Sequence, residues 1–200
     1  MQVRELPKRC CVEEDRMLLF TERLIILQIS KKEASKCYEN WGKGGSLEEY
    51  LPGFPLKNVD EMTQFCDDMS KKINNYSICL RKDKTPIGYV CLDIPCSEQK
   101  YGELGYVIGE KFRGKGYAYE AVNAVMRKGF GNDDLYIIEA KVAETNEASR
   151  GMLEKIGFSE ETRLRKRFYN RKSDDRENII VYSMTRDEYE KLGSVADARI

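Results

Sequence analysis

A glycine-rich basic turn in the middle of the chain has the composition of an anion-binding site. The turn holds Arg113, Gly114, Lys115 and Gly116, and it follows an apolar run over residues 104–108. Glycine lets the backbone adopt left-handed conformations and approach a ligand closely. The N–H groups at the start of a helix attract negative charge. A strand, a glycine turn and a helix N-terminus in this order predict a site for a phosphorylated ligand.

The spacing of these glycines differs from that of two common phosphate-binding motifs. A P-loop has Gly-x-x-x-x-Gly-Lys-Ser/Thr and a dinucleotide-binding fold has Gly-x-Gly-x-x-Gly, and neither pattern is found at this turn. A short Gly-x-Gly sequence also fits an ordinary turn with no ligand. The flanking residues therefore decide between the two interpretations.

Those flanking residues resemble motif A of the GNAT acyltransferase superfamily, over residues 103–108 and 113–121. Further along the chain, residues 146–158 resemble the next motif of the same superfamily. Upstream, residues 21–26 are similar to the opening strand of the subfamily that contains the ribosomal-protein alanine N-acetyltransferases. Residues 87–89 match the Ile-Gly of the third strand. The matches occur in the family's order.

The resemblance covers roughly residues 20–190 and implies a mixed α/β fold, the GNAT acyl-CoA N-acyltransferase fold. In that fold a central, mostly antiparallel sheet is flanked by helices. Its one parallel strand pair, here residues 103–108 and 135–142, splays apart. We expect a single domain over residues 17–195 after an N-terminal extension over residues 1–16.

The resemblance implies that the ligand is acetyl-coenzyme A (acetyl-CoA). Backbone N–H groups around residues 113–118 would hold its pyrophosphate, and the pantetheine arm would pair with the backbone of residues 106–108. An N–H at Val107 or Ile108 would polarise the thioester carbonyl. The expected cofactor-binding residues are Tyr106, Val107, Ile108, Lys111, Arg113, Gly114, Lys115, Gly116, Tyr117, Ala118, Asn146 and Ser149.

The side chains of this site leave alternatives open. Lys111 stands where the family has Gln or Arg, which weakens the match only slightly because the contact is mainly through the backbone. Arg113 and Lys115 either add charge near the pyrophosphate or point to solvent.

The implied reaction is direct attack of an amine on the thioester. The chain has no histidine, which removes Ser-His and Cys-His nucleophiles and the usual zinc ligands, and we expect no metal. A carboxylate can accept the amine proton. Glu103 is the candidate base or a solvent-facing strand residue. Ser149 is the candidate acid for the leaving sulfur or a helix-start residue that bonds a backbone N–H.

Two acid–base residues of other family members are missing from this chain. Many members have a tyrosine four positions after the serine, where this chain has Leu153. Some have a glutamate on the sixth strand just before an aromatic residue, where this chain has Phe168 before Tyr169. Neither of these two acid–base groups is therefore available to this chain.

The bulk composition fits a globular enzyme. Hydrophobic residues make up 41% of the 200 residues, and 34 basic residues balance 34 acidic ones. This balance gives no basis for direct DNA binding or for membrane binding. The seven cysteines are scattered and odd in number, and no signal peptide or long apolar span is evident, so we expect a reducing cytoplasm.

Local patterns predict the elements that position these residues. Apolar periodicity and capping residues predict helices that begin near Ser30, Asn58, Gly116, Asn146 and Thr185. The predicted strands are residues 18–29, 76–80, 87–94, 103–108, 135–142, 162–169 and 178–184.

The sequence leaves more than one class of acceptor amine open. The subfamily resemblance favours a protein N-terminus. A small-molecule amine (an amino acid, polyamine or antibiotic) and a non-catalytic CoA-binding sensor are the alternatives. The loop over residues 42–57 and the turn over residues 170–176 are expected to shape the acceptor pocket, with Trp41 as an aromatic lid or as packing. The protein is expected to be a monomer or a homodimer.

Overall fold

A computed structural model describes residues 18–197 except 45, 46 and 48. The expected extension over residues 1–16 lies outside the described residues. The strands are β1 (Leu18–Phe20), β2 (Leu24–Gln28), β3 (Asn75–Leu80), β4 (Pro86–Asp93), β5 (Tyr101–Ile108), β6 (Ile137–Ala143), β7 (Ser159–Asn170) and β8 (Asp175–Thr185). The helices are α1 (Ala34–Cys37), α2 (Val59–Ser70), α3 (Tyr117–Gly131), α4 (Glu147–Ile156) and α5 (Arg186–Asp197).

The eight strands form one sheet in the order β1-β2-β3-β4-β5-β6-β8-β7. Helix α3 packs on one face through buried residues such as Val122, Val125 and Met126. Helices α1 and α2 form a second core with Trp41 and Met62. The predicted mixed α/β class with a mostly antiparallel sheet is confirmed.

The predicted helix caps at Asn58, Asn146 and Thr185 are confirmed by side-chain hydrogen bonds at the start of each helix. Asn58 accepts from the N–H of Glu61, and Asn146 accepts from the N–H of Ser149. Thr185 and Glu188 bond each other at the start of α5. These bonds satisfy N–H groups that a helix start otherwise leaves open.

Two predicted elements differ from the structure. The predicted strand over residues 18–29 is split into β1 and β2 by a turn in which the Leu24 N–H donates to Thr21 Oγ1 at 2.9 Å. The predicted helix after Ser30 is irregular. A 3₁₀ turn (Lys31–Glu33) precedes α1 and a π-helical turn (Tyr38–Gly42) follows it.

The only parallel pair among the described strands, β5 and β6, separates along its length. Cα partners extend from Tyr101–Ile137 to Glu103–Glu139 and no further. Beyond that point β5 stays paired with β4 as far as Ile108, and β6 stays paired with β8. The two strands therefore open into a cleft whose walls are held from outside. The predicted splay is confirmed.

The turn between β1 and β2 is fixed to the first turn of α3 by an ion pair. Arg23 Nε donates to Glu120 Oε2 at 2.6 Å, and the Arg23 N–H donates to Glu120 Oε1 at 2.8 Å. Burial favours a higher pKa for Glu120, but the hydrogen bonds from Thr21 and Arg23 outweigh it and lower the pKa. The carboxylate thus joins elements that are far apart in the sequence.

We expect Glu120→Gln to lower the free energy of unfolding by about 1–3 kcal/mol at pH 7, the usual worth of hydrogen bonds to a charged group. Because the folded-state pKa of Glu120 is lowered, its stabilisation is complete above the unfolded pKa of about 4.3 and is lost as the pH falls through the folded value. Urea unfolding of both proteins across pH 3–7 measures this.

The matched control is Glu39→Gln, because Glu39 is 57% exposed in its pair with Lys43. We expect this change to cost less than about 0.5 kcal/mol. A difference between wild type and Glu120→Gln that stays constant as the pH falls would contradict a role for the ionised carboxylate.

Candidate active site

The glycine turn places bare backbone at the start of α3. Gly114 and Gly116 have φ of +73° and +79°, a region that favours glycine. Gly116 is the N-cap, and no side chain caps the helix. The first helical hydrogen bond runs from the Glu120 N–H to the Gly116 carbonyl. The N–H groups of the first helical residues before Glu120 are thus available to an anion.

The basic side chains of the turn are exposed and bond to its backbone. Arg113 Nε donates to the Ile108 carbonyl at 3.0 Å, and Lys115 Nζ donates to the Lys111 carbonyl at 3.2 Å. Arg23 Nη1 donates to the Lys115 carbonyl at 2.9 Å. These bonds occupy the carbonyl groups of Ile108, Lys111 and Lys115.

The backbone direction along β5 shows which groups line the cleft. The Gly109 N–H donates to the Ile87 carbonyl at 2.8 Å, and Gly88 pairs with Ile108 without a register shift. Backbone groups alternate between the two neighbours of a strand. The N–H of Val107 therefore points to β4, whereas those of Tyr106 and Ile108 point into the cleft.

Two hydroxyl groups meet beside this cleft. The Tyr106 hydroxyl and Ser149 Oγ share a hydrogen bond, and the Tyr106 hydroxyl also lies 3.5 Å from the Ser149 carbonyl oxygen. Burial raises the pKa of Tyr106 to about 12. The helix cap at this point is Asn146, which accepts from the Ser149 N–H at 3.2 Å. Ser149 Oγ is therefore not the cap that its position also allowed.

Glu103 lies at the last paired position before the cleft opens. Its side chain is 42% exposed, and Oε1 lies 3.2 Å from Lys141 Nζ, which also lies 3.1 Å from Glu139 Oε1. Burial opposes charge on Lys141, but hydrogen bonds to the two glutamates outweigh it and raise the pKa of Lys141. Glu103 is thus both an accessible strand residue and a member of an ion-pair cluster.

The two segments expected to shape the acceptor pocket contact each other. Lys172 Nζ lies 2.9 Å from Glu49 Oε2, which joins the β7–β8 turn to the loop before α2. Trp41 is 1% exposed and stacks on Phe54 and Tyr89 with ring centroids 5.9 and 6.2 Å apart. Of its two expected roles, packing is the one observed.

A cavity of about 480 Å³ lies beside this aromatic cluster, where the segment after α1 faces the turn after β5. Basic and acidic side chains both reach it. It is lined by Glu39, Asn40, Trp41, Lys43, Gly44, Leu47, Glu110 and Lys111.

Sequence patterns did not indicate three of these contacts. Arg23 reaches the glycine turn from the turn between β1 and β2, Lys141 pairs with Glu103 across the cleft, and the Tyr106 side chain reaches α4. Each contact joins separate elements. No periodicity or local motif could signal such pairs.

Two further observations concern ligands and membranes. Among residues 18–197 as described, no group of three or more His, Cys, Asp or Glu side chains is arranged to hold a metal ion. In the same part of the chain, no helix has both the length and the apolar character that crossing a membrane requires.

Known proteins are similar to this chain in sequence or in fold. An N-acetyltransferase of Bacillus licheniformis called p20 is 28% identical over 176 residues, which are 86% of this chain and 97% of that protein. A GNAT-family acetyltransferase structure from Bacillus anthracis superposes with a TM-score of 0.77 at 23% identity, covering 86% of this chain and 100% of that one. The structure of a ribosomal-protein-S5-alanine acetyltransferase from Vibrio fischeri gives 0.71 at 20% identity, covering 86% and 98%.

The family model for the GNAT acetyltransferase domain matches residues 23–159. That span begins at the last residue of the turn between β1 and β2 and includes the cleft, the glycine turn and α4. The match confirms the resemblance drawn from the motifs, and the chain belongs to the GNAT family of acetyl-CoA-dependent N-acetyltransferases.

Proposed function

We propose that this enzyme transfers acetyl from acetyl-CoA to a primary amine by direct attack, and that its preferred acceptor is the N-terminal amine of a protein. The continuous arrangement of an open helix N-terminus and a cleft in the sheet supports the donor site. The acceptor class rests on similarity to the ribosomal-protein-S5-alanine acetyltransferase of Vibrio fischeri and on residues 21–26.

The backbone of the chain fits the donor. The N–H groups of Tyr117 and Ala118, with those of the glycine turn, would hold the pyrophosphate. The Tyr106 carbonyl points into the cleft and would pair with the pantetheine arm. Of the two candidates for polarising the thioester carbonyl, we retain Ile108, because the Val107 N–H points to β4.

Two side chains would act as the base and the acid of the reaction. Glu103, at the closed end of the cleft, would accept the amine proton directly or through a water molecule, and Lys141 holds its carboxylate in place. Ser149 would donate its hydroxyl proton as the carbon–sulfur bond breaks. Both roles require only that these groups reach the cleft, which β5 and α4 border.

The acceptor side would be formed by the loop before α2 and the β7–β8 turn. Their contact through Glu49 and Lys172 supports a shared rim. A small-molecule amine remains the second candidate. We place the reaction in the cytoplasm, because the five cysteines within the described residues are free thiols.

A thiol-release assay with acetyl-CoA tests this function over a panel of peptides with free N-termini, amino acids, polyamines and aminoglycosides. We expect CoA release that depends on a peptide amine, together with the acetylated peptide in a mass spectrum. Binding of CoA without release on any amine would favour the sensor, and failure to bind CoA would contradict both functions.

Gly114→Ala tests the glycine turn. A side chain at φ +73° costs about 1–2 kcal/mol, so we expect the KM for acetyl-CoA to rise roughly 5- to 30-fold. Gly131→Ala is the control, because an added Cβ there meets no atom within 4 Å and no left-handed φ is required. Equal effects of the two changes would contradict a donor site at this turn.

Glu103→Gln tests the base. We expect kcat to fall about 100-fold or more, with the KM for acetyl-CoA within twofold of wild type. Glu139→Gln is the matched control, since Glu139 also contacts Lys141 but has no role in the proposed proton transfer. If both variants lose the same activity, the ion-pair cluster and not the base explains the loss.

A further inference from the structure

We infer that the phenol of Tyr106 is a positioning residue: it donates a hydrogen bond to Ser149 Oγ and so directs the Ser149 proton toward the leaving sulfur. This inference rests on the proposed donor site and on the proposed role of Ser149. It gives the Tyr106 side chain a role besides that of its backbone.

The contacts around Ser149 leave its hydroxyl free for this purpose. The Ser149 N–H is satisfied by Asn146 Oδ1 at 3.2 Å, so capping does not use Oγ. Within the described part of the chain, Oγ shares its hydrogen bond with the Tyr106 hydroxyl. Because Tyr106 lies on the splayed part of β5 and Ser149 on the first turn of α4, the pair spans the side of the cleft.

The direction of the hydrogen bond follows from acidity. A phenol is more acidic than an aliphatic hydroxyl, so the Tyr106 O–H is the better donor and Ser149 Oγ the better acceptor. Burial raises the pKa of Tyr106 to about 12, and the phenol therefore keeps its proton in the neutral range. Ser149 has one proton, and once its oxygen accepts from Tyr106 that proton points elsewhere.

Tyr106 supplies a second hydroxyl group that α4 lacks at position 153. Leu153, four positions after Ser149, is fully buried in the core under α4 and has no hydroxyl group. The proton balance is complete without an additional group. Ser149 gives its proton to the sulfur as the carbon–sulfur bond breaks and regains one from solvent, Glu103 releases the amine proton to solvent, and Tyr106 keeps its own.

Titration of bound CoA tests the inference without any acceptor. CoA labelled with ¹³C at the carbon bonded to sulfur reports the thiol pKa by its chemical shift. A hydroxyl that donates to the thiolate lowers that pKa. We expect the thiol pKa of the wild-type complex to be lower by roughly half a unit or more than that of the Tyr106→Phe and Ser149→Ala complexes.

Tyr136→Phe is the control, because Tyr136 lies just before β6 and is 49% exposed. It should titrate like wild type. Bound CoA that titrates identically in wild type, Tyr106→Phe and Ser149→Ala would overturn the inference while leaving the donor site intact. A wild-type chain that does not bind CoA would instead contradict the proposed function.

A double-mutant cycle separates positioning from packing. We expect Tyr106→Phe to lower kcat roughly tenfold with the KM for acetyl-CoA within twofold, and to lower it no further in the Ser149→Ala background. If the phenol only packs, Tyr106→Phe would lower kcat by the same factor in the wild-type and the Ser149→Ala backgrounds. That result would overturn the inference. Thermal unfolding of each variant verifies that it is folded.

Discussion

The cleft in the sheet depends on one constraint: β5 and β6 stop pairing at Glu103 and Glu139. Unpaired backbone groups inside a protein are costly, and a sheet normally closes over them. Here β4 holds β5 from one side and β8 holds β6 from the other, so neither strand can move to close the gap. A ligand with its own amide groups can satisfy the open edge of β5, which is what an added strand does.

The second requirement is that α3 stays fixed, because its N-terminus would face the same ligand in the proposed donor site. Its first turn is fixed by Arg23 and Glu120. Near its other end, the buried Lys128 bonds Asp133 and the Asn74 side chain. Breaking such a buried pair is costly, since one charge is left without a partner. The helix that presents the anion site is therefore attached to the sheet at both ends.

Local signals in the sequence were sufficient for most of the fold. Asn58 and Asn146 cap the helices that their positions predicted, and Gly114 adopts the left-handed conformation that its motif implied. The turn at Thr21 was missed, because its apolar flanks read as one strand and its partner Glu120 is 99 residues away. The backbone conformation at the candidate site could be predicted from the sequence. Its side-chain contacts could not, since pairs such as Lys141 and Glu103 depend on strand register.

The hydrogen bond between Tyr106 and Ser149 has a structural consequence besides the chemical role that we propose for it. It joins β5 to the first turn of α4, on the side where β5 has lost its strand neighbour. Asn146 and Ser149 are therefore held at a fixed distance from the open edge of β5. An acid on α4 alone would depend on the packing of that helix, whereas a hydroxyl pair that bridges strand and helix would align the proposed proton donor with the same backbone that would hold the thioester. Catalytic geometry and donor binding would then both depend on β5.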